Sequence, residues 1–157
     1  MNKILVSACL LGTNCKYSGG NNLTPKVMEL VKELELVPFC PEEMGGLLTP
    51  REPCEIQGGT GEDVLKGKAR VLNKKGEDVT GQFVKGARLT LELAKEHGCK
   101  GAIMKSNSPS CGCGIIYDGS FSGKRKEGSG VCSQLLQDNG IAVMTEIDFE
   151  EKLRSLK

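Results

Sequence analysis

An alternation of short apolar segments with helical segments is the feature that most constrains the fold. Four segments rich in Ile, Leu, Val, Ala and Met predict buried strands, at residues 3–8, 36–39, 101–104 and 141–145. A long helix is predicted over residues 80–97, where apolar side chains recur at helical spacing and Gly98 supplies the stop. Strands that alternate with helices are typical of a parallel sheet with helices on both faces. We therefore predict an α/β fold, a three-layer sandwich with a mostly parallel, Rossmann-like sheet, as a single domain over residues 1–157.

Smaller elements are predicted around this sheet. A helix is predicted from Pro25 to Leu34, because Pro is favoured at the first helical position and the apolar residues that follow recur at helical spacing. Residues 69–72 and 77–79 predict a small hairpin, and residues 115–117 begin a second one. The Gly- and Pro-rich segment 44–60 shows no period and is predicted to be a loop. Loops of this length tend to be functional.

Charge and hydropathy exclude two classes of partner. The chain has 21 Lys plus Arg against 20 Asp plus Glu, a formal net charge of +1, so an extended nucleic-acid surface is not expected. The basic run Lys124-Arg125-Lys126 is interpreted as a solvated loop. No segment approaches the roughly 20 apolar residues of a membrane helix, and the N-terminal apolar run is too short for a signal peptide. We expect a cytoplasmic protein, either a monomer or a small homo-oligomer.

Eight cysteines then require an explanation other than disulfides, because thiols in the cytoplasm stay reduced. The sequence contains no Cys-x-x-Cys pair and a single histidine, His97, at the end of a predicted helix. Paired zinc knuckles and Cys/His zinc fingers are therefore poorly supported. Any metal site has to be assembled from cysteines that are distant in sequence.

Three of the cysteines follow predicted strands. Cys9 comes after the first strand, Cys40 after the second, and Cys111 a few residues after the third. Ligands of open parallel sheets bind just beyond the carboxyl ends of the strands, so we expect these three thiols to converge. Three thiolates suit either a catalytic zinc with an open position or a four-iron cluster with one iron left open.

The other five cysteines are less informative. Cys15, Cys99 and Cys132 are interpreted as buried structural thiols, since free cysteine is among the most buried residue types. Cys99 is expected at the opposite edge of the sheet, between a helix end and the third strand. Cys54 and Cys113 lie in predicted loops, and the sequence does not indicate a role for either.

Beyond the cysteines, four segments resemble the thiouracil desulfidase family. The segments are Val6-Ser7-Ala8-Cys9-Leu10-Leu11-Gly12 with Cys15-Lys16-Tyr17-Ser18-Gly19-Gly20, Cys40-Pro41-Glu42 with Gly45-Gly46-Leu47 and Pro50-Arg51-Glu52-Pro53, Asp78-Val79-Thr80 with Gly86-Ala87, and Lys105-Ser106-Asn107-Ser108-Pro109-Ser110-Cys111-Gly112 with Ile116-Tyr117-Asp118-Gly119. They span nearly the whole chain in order, and their combination is highly specific.

The resemblance implies a [4Fe-4S] cluster with three protein ligands and one open iron, and by motif position these ligands are Cys9, Cys40 and Cys111. It implies non-redox desulfuration of thiouracil or of 4-thiouridine monophosphate to the oxygen analogue plus sulfide. The catalytic residues that it implies are Glu42, a general base toward water, and Ser108, which would position that water or stabilise developing charge. Some members of the family carry a further C-terminal domain and act on transfer RNA. This chain shows no such segment, which favours a small thiolated pyrimidine or nucleotide as substrate.

Some assignments stay open at this point. Arg51 and Lys105 are candidate contacts for a substrate phosphate or a uracil oxygen. On its residue type alone, Glu42 suits the first turn of a helix as well as catalysis. Two alternative functions remain. One is a cluster-free thiol or zinc protein, for example a redox sensor that uses Cys111 and Cys113, and the other is a nucleotide-binding module without catalysis.

Overall fold

The computed structural model describes residues 3–156. Strands and helices alternate along this part of the chain, with 3-10 turns at Ala8–Leu11 and Glu29–Lys32. In chain order the elements are β1 (Lys3–Ser7), α1 (Pro25–Met28), β2 (Glu35–Phe39), α2 (Pro41–Met44), β3 (Cys54–Gln57), α3 (Gly61–Leu65), β4 (Arg70–Asn73), α4 (Thr80–His97), β5 (Gly101–Met104), β6 (Ile115–Tyr117), β7 (Arg125–Glu127), α5 (Val131–Asp138), β8 (Ala142–Thr145) and α6 (Phe149–Leu156).

Four of these strands form one sheet in the order β2-β1-β5-β8. Each pair of neighbours is parallel, and the β1–β2 register runs from Lys3 opposite Glu35 to Ser7 opposite Phe39. The expected parallel sheet is confirmed. Because the strands are parallel, their carboxyl ends, and the loops that follow them, lie at one edge.

Side chains that alternate along the strands give this sheet two buried faces. Leu5 of β1 lies on one face, in the apolar cluster that α4 and α5 complete. Ile4 and Val6 lie on the other face, where α1 contributes Val27 and α6 contributes Phe149. The three-layer α/β arrangement is therefore confirmed, with helices on both sides of the sheet.

Helix α4 agrees with the prediction at both ends. Its buried side chains are Phe83, Ala87, Thr90 and Ala94. The helix ends at Gly98, whose φ of 68° lies in the left-handed region that favours glycine. Both α2 and α5 pack against α4, so this helix supports the segments that follow β2 and β5.

Segment 44–60 is not the featureless loop that was expected, because it contains β3. This strand pairs antiparallel with β4. The hairpin expected between residues 69–72 and 77–79 is reduced to one bridge, Leu72–Asp78. Sequence patterns missed β3 because Glu is a residue type depleted in strands, as at Glu55, and because helix α3 separates β3 from its partner strand β4.

Two further differences are small. The first helix gives way to a 3-10 turn after Met28 instead of continuing to Leu34, since β2 begins at Glu35 and leaves room for a short connection only. The second hairpin is confirmed as β6–β7. The basic run was interpreted as a loop, but Arg125 and Lys126 of that run belong to β7. Among the described residues, no helix is both long and apolar enough to cross a membrane.

Candidate functional site

A cavity of about 450 Å³ opens at the edge of the sheet where the parallel strands end. This volume is in the range of small-molecule sites, roughly 300–1,000 Å³. Cys9, Cys40 and Cys111 all line it, together with Glu42 and Ser108. The structure thus brings together the three cysteines and the two helper residues that the sequence singled out.

Cys9 and Cys40 both adjoin a third thiol, that of Cys15. Cys9 lies in the 3-10 turn after β1, and Cys40 immediately precedes α2. Hydrogen bonding from the Cys15 thiol lowers the pKa of Cys9 to about 7, with a smaller contribution from Asn22, although burial opposes it. The same thiol lowers the pKa of Cys40 against a similar burial effect. Both sulfurs are therefore biased toward the thiolate form, which is the form that binds metals.

Cys15 itself was interpreted from the sequence as a structural thiol. It is buried, but it also lines the cavity. Hydrogen bonds to Cys40 and Cys9 raise the pKa of Cys15, so this residue stays a protonated donor. Ligand atoms of Cys15, Cys40 and Glu43 lie within 4.8 Å of one another. The site therefore has a fourth thiol beside the three that were expected.

Cys111 lies deepest of the three expected ligands. The Ser7 hydroxyl donates to Cys111 Sγ at 3.7 Å, and this thiol lies 3.8 Å from the Ser110 hydroxyl. Burial raises the pKa of Cys111 well above its ordinary value, and the Ser7 hydrogen bond offsets only part of that. A cation at the cavity would favour the thiolate, since a coordinating thiol is deprotonated outright.

Glu42 and Arg51 form an ion pair in the cavity wall. Arg51 Nη2 donates to Glu42 Oε2, and both side chains are largely buried. The same guanidinium donates to the Cys15 carbonyl at 2.9 Å and to Thr49 Oγ1 at 2.8 Å. Arg51 thus links α2 to the turn that carries Cys15, and its ion pair with Glu42 orients the Glu42 carboxylate.

Ser108 organises the turn that leads into Cys111. Its Oγ accepts hydrogen bonds from the backbone N–H groups of Ser110 and Cys111, each at 3.1 Å. Because these bonds use the lone pairs of Oγ, the hydroxyl hydrogen is left to donate toward the cavity that Ser108 lines.

Lys105 also lines the cavity but is engaged with protein groups. Its Nζ contacts Glu146 Oε2 at 3.0 Å and Ser106 Oγ at 3.1 Å. Burial raises the pKa of Glu146, but hydrogen bonds from Lys105 and Ser106 outweigh burial and leave that pKa below its ordinary value. The pair ties the loop after β5 to the end of β8.

The remaining cysteines differ in their relation to the cavity. Cys54 of β3 lines it, whereas Cys99, Cys113 and Cys132 are not among its lining residues. Cys99 is buried at the start of β5, at the opposite edge of the sheet as expected. The Cys113 thiol is directed to the Val143 carbonyl at 3.8 Å, so the thiols of Cys111 and Cys113 contact different groups.

Aromatic side chains are the part of the site that the sequence analysis missed. The chain has six aromatic residues, and five of them line this cavity: Tyr17, Phe39, Phe83, Tyr117 and Phe121. Glu55 also lines the cavity and is buried. The scarcity of aromatic residues elsewhere was the available clue, but only the fold shows that they meet.

Comparison with known proteins agrees with this geometry. The family profile described as 2-thiouracil desulfurase matches residues 4–148. The chain belongs to the 2-thiouracil desulfurase family. It is also 50% identical over 150 residues to the uncharacterized protein YbbK of Bacillus subtilis (strain 168), a match that covers 96% of this chain and 99% of that protein.

A solved structure of a desulfurase-family relative gives the same result for the fold. It is the [4Fe-4S]-dependent thiouracil desulfidase TudS, 39% identical, with a TM-score of 0.87 over 99% of this chain and 98% of that one. The two alternatives, a cluster-free thiol or zinc protein and a nucleotide-binding module without catalysis, are not favoured by these matches.

The residues of the cavity fit an iron–sulfur cluster. Thiolate sulfur is the usual ligand of such clusters, and Cys9, Cys40 and Cys111 line one cavity. The low pKa values of Cys9 and Cys40 favour the ligating form. The Ser7 hydroxyl supplies the kind of hydrogen bond to sulfur that tunes cluster potentials.

Proposed function

We propose that this protein hydrolyses the thiocarbonyl group of a thiolated uracil compound. The ring carbon gains the oxygen of water, the C–S bond breaks, and sulfur leaves as hydrogen sulfide. The reaction balances without an oxidant or a reductant: R₂C=S plus H₂O gives R₂C=O plus H₂S. The meeting of three thiols, a carboxylate and a serine hydroxyl in one cavity is the observation that carries the proposal.

Cys9, Cys40 and Cys111 would hold the [4Fe-4S] cluster, consistent with the cluster dependence of the structural relative. When bound, the cluster supplies an open iron as a Lewis acid for a soft sulfur atom. The chain's own contribution is to keep the ligand sulfurs in place and ionised. Cys15 favours the ionised form by donating its single S–H to either Cys9 or Cys40.

Glu42 is the proposed general base. Arg51 Nη2 binds Oε2 of this carboxylate, so Oε1 is the oxygen left to take a proton from the attacking water. The position of Glu42 in the first turn of α2, two residues after Cys40, fixes it beside the thiols. The ion pair also prevents the carboxylate from rotating away. General bases of this kind typically contribute about 10²–10⁴-fold to a rate.

Ser108 is the proposed hydrogen-bond donor. Two backbone N–H groups fix its oxygen, so the hydroxyl hydrogen has a defined direction. A donor fixed before the reaction stabilises charge that develops on the substrate, because it does not have to reorganise. Ser108 would thus orient the water or the substrate ring while Glu42 holds the proton.

Free thiouracil is the first substrate to test, with 4-thiouridine monophosphate second. Lys105 would reach a nucleotide phosphate only by sharing its ammonium group with Glu146, and Arg51 is already paired with Glu42. We assign both cations to the architecture of the site first and to substrate contact second. We also place the enzyme in the cytoplasm, where its eight free thiols stay reduced.

Sulfide release tests the proposal. Protein reconstituted with iron and sulfide in the absence of oxygen is incubated with 2-thiouracil, 4-thiouracil or 4-thiouridine monophosphate, and sulfide and the oxo product are quantified. Release is expected from wild type and from Cys99→Ala, whose thiol lies at the opposite edge of the sheet. It is expected to vanish, together with most of the bound iron, in Cys9→Ala, Cys40→Ala and Cys111→Ala.

Glu42→Gln tests the role of Glu42 as general base independently of cluster binding. This variant is expected to keep the iron content and visible absorption of wild type and to lose sulfide release by about 10²–10⁴-fold. Full activity in Glu42→Gln would remove the assigned base. A brown, cluster-loaded wild type that releases no sulfide from any of the three compounds would refute the substrate class.

A further inference from the structure

The aromatic side chains of the cavity fall into two groups. Phe39 and Phe83 are 3% and 2% exposed, so their rings belong to the apolar core and offer little surface to a ligand. Tyr17 is 47% exposed, and the Lys16 ammonium lies 5.8 Å from the centroid of its ring. Tyr117 and Phe121 are half-buried, and both line the cavity.

Tyr117 and Phe121 come from one hairpin. Tyr117 ends β6, and Phe121 lies in the loop, residues 118–124, that connects β6 to β7. Phe121 has a φ of 55°, in the left-handed region that a non-glycine residue adopts only when its surroundings impose it. A strained backbone at a cavity wall indicates that the position of this ring is determined by other contacts.

Glu55 supplies those contacts. Its Oε1 accepts hydrogen bonds from the backbone N–H groups of Gly119, at 2.9 Å, and Phe121, at 3.2 Å. Gln57, from the same strand, donates its side-chain amide to the Gly119 carbonyl. The Glu55 side chain is buried, and a buried carboxylate is retained at such a cost only when it is hydrogen-bonded. Strand β3 therefore fixes the β6–β7 loop at the cavity.

The geometry points to Phe121 as the ring on which the substrate pyrimidine stacks, and to Glu55 as the residue that positions it, an assignment that rests on the proposed function. A pyrimidine is flat, and an aromatic face binds such a ring whatever its substituents, because every nucleobase has a π-face. The cysteines, Glu42 and Ser108 act on the thiocarbonyl group. Phe121 would thus determine recognition of the ring, separately from the chemistry at sulfur.

Steady-state kinetics test this assignment. In the reconstituted enzyme, Phe121→Ala is expected to raise KM for 2-thiouracil about 5- to 150-fold, the range that loss of one stacking contact gives. Its kcat should change little, since a contact made equally to substrate and transition state acts on KM. Phe121→Tyr should restore KM. The control is Ser122→Ala, an exposed neighbour in the same loop whose hydroxyl contacts Ser120, and its KM should equal that of wild type.

Glu55 is tested through the same comparison of KM with kcat. Glu55→Ala removes the acceptor for two loop N–H groups and should raise KM in the same direction as Phe121→Ala, with kcat retained. Glu55→Gln keeps a carbonyl oxygen as acceptor and should return KM most of the way to the wild-type value. A purely structural role would instead lower the amount of active enzyme, and therefore the apparent kcat, with KM unchanged.

A binding measurement keeps the test independent of turnover and of cluster loading. The chain contains no tryptophan, so Phe121→Trp introduces a single indole into the loop. Uracil is then titrated into this variant, and the indole fluorescence should change with saturation, while Ser122→Trp at the exposed neighbour should show no saturable change. Equal responses in both variants would overturn the assignment.

The two levels of proposal fail differently. Sulfide release with an unchanged KM in Phe121→Ala overturns the stacking assignment and leaves the reaction in place. Saturable quenching in Phe121→Trp without sulfide release from any thiolated pyrimidine retains the ring-binding site and overturns the reaction.

Discussion

The loops that carry Cys40 and Cys111 are positioned by different combinations of contacts. After β2, the chain enters α2, which lies directly on α4. A Cβ atom added to Gly86 of α4 would lie 1.8 Å from the Pro41 carbonyl oxygen, and one added to Gly45 would lie 2.0 Å from the Gln82 oxygen. The two backbones touch, so the site of Cys40 and Glu42 depends on the absence of side chains at two glycines.

The loop after β5 also meets a glycine closely, since a Cβ atom added to Gly130 would lie 2.5 Å from the Ser110 carbonyl carbon. It is held in addition by a set of hydrogen bonds. Ser108 Oγ accepts from two N–H groups within the loop. The start of α5 adds Val131 N–H to the Pro109 carbonyl at 2.8 Å and Ser133 N–H to the Ser110 carbonyl at 3.0 Å. Lys105 and Glu146 fix the loop at its origin.

Added methyl groups and lost hydrogen bonds should disrupt the site differently. A close contact between two backbones cannot be weakened gradually, because even one added methyl group has to displace a helix. A set of hydrogen bonds loses its members one at a time, each at a cost of about 1–3 kcal/mol when a buried partner is left unsatisfied. We therefore expect an abrupt response to a methyl group added at the α2–α4 contact and a stepwise response to the loss of single hydrogen bonds in the Cys111 loop.

Gly86→Ala should give the largest effect. The Ala methyl group would overlap the Pro41 carbonyl, and overpacking of this kind costs about 1–3 kcal/mol or more. Displacement of α2 should also move Cys40 and Glu42 together, so iron content and sulfide release should fall in parallel. Urea unfolding of the cluster-free protein and iron analysis after reconstitution measure the two parts.

Gly81→Ala is the matched control in the same helix. A Cβ atom added at Gly81 meets no atom within 4 Å, so the usual helical preference for Ala over Gly should stabilise this variant by about 0.5 kcal/mol. Equal stability and iron content in Gly81→Ala and Gly86→Ala would contradict the view that the α2–α4 contact sets the site.

Ser108→Ala should give an intermediate effect. The N–H groups of Ser110 and Cys111 lose their acceptor, and we expect a loss of about 1–3 kcal/mol in unfolding free energy, with weaker but measurable iron binding. Ser108→Thr keeps Oγ and should retain stability. If Ser108→Ala unfolds at the wild-type urea concentration, the hydrogen-bonded description of this loop is wrong, and any lost turnover belongs to catalysis alone.

The helices and the parallel sheet could be predicted from the sequence, because the signals for them are local or follow from the general topology of parallel sheets. Helix α4 was predicted over its full length from apolar spacing and Gly98. The meeting of Cys9, Cys40 and Cys111 was expected because parallel strands place their following loops at one edge. That geometric expectation and the family resemblance selected the same residues.

The parts that were missed depend on contacts distant in sequence. Strand β3 is concealed by Glu55, a charged residue whose burial makes sense only once the N–H groups of Gly119 and Phe121 are known to reach it. Cys15 looked like a core thiol because nothing in its local sequence places it between Cys9 and Cys40. Phe121 follows no helical or strand period, so its place at the cavity is visible only in three dimensions.

Acid should give the smallest effect, and it distinguishes the two loops by their chemistry. Glu146 holds the start of the Cys111 loop through Lys105 and Ser106, and its pKa lies below the ordinary glutamate value of 4.5. A lowered folded-state pKa means that this carboxylate stabilises the fold fully above the unfolded-state value. The contribution is lost as pH falls through the folded-state value.

Glu146→Gln should therefore lower stability at neutral pH and make it less dependent on pH below 4.5, the ordinary glutamate value. The control is Glu150→Gln, which removes an exposed surface pair with Lys26 and should alter little, since such pairs contribute roughly 0–1 kcal/mol. Urea unfolding of cluster-free protein at a series of pH values measures both. If the stability difference between Glu146→Gln and wild type stays constant through the acid range, the Lys105–Glu146 contact does not anchor the Cys111 loop as an ion pair. The hydrogen bonds that position this loop would then be those of Ser108 and the start of α5 alone.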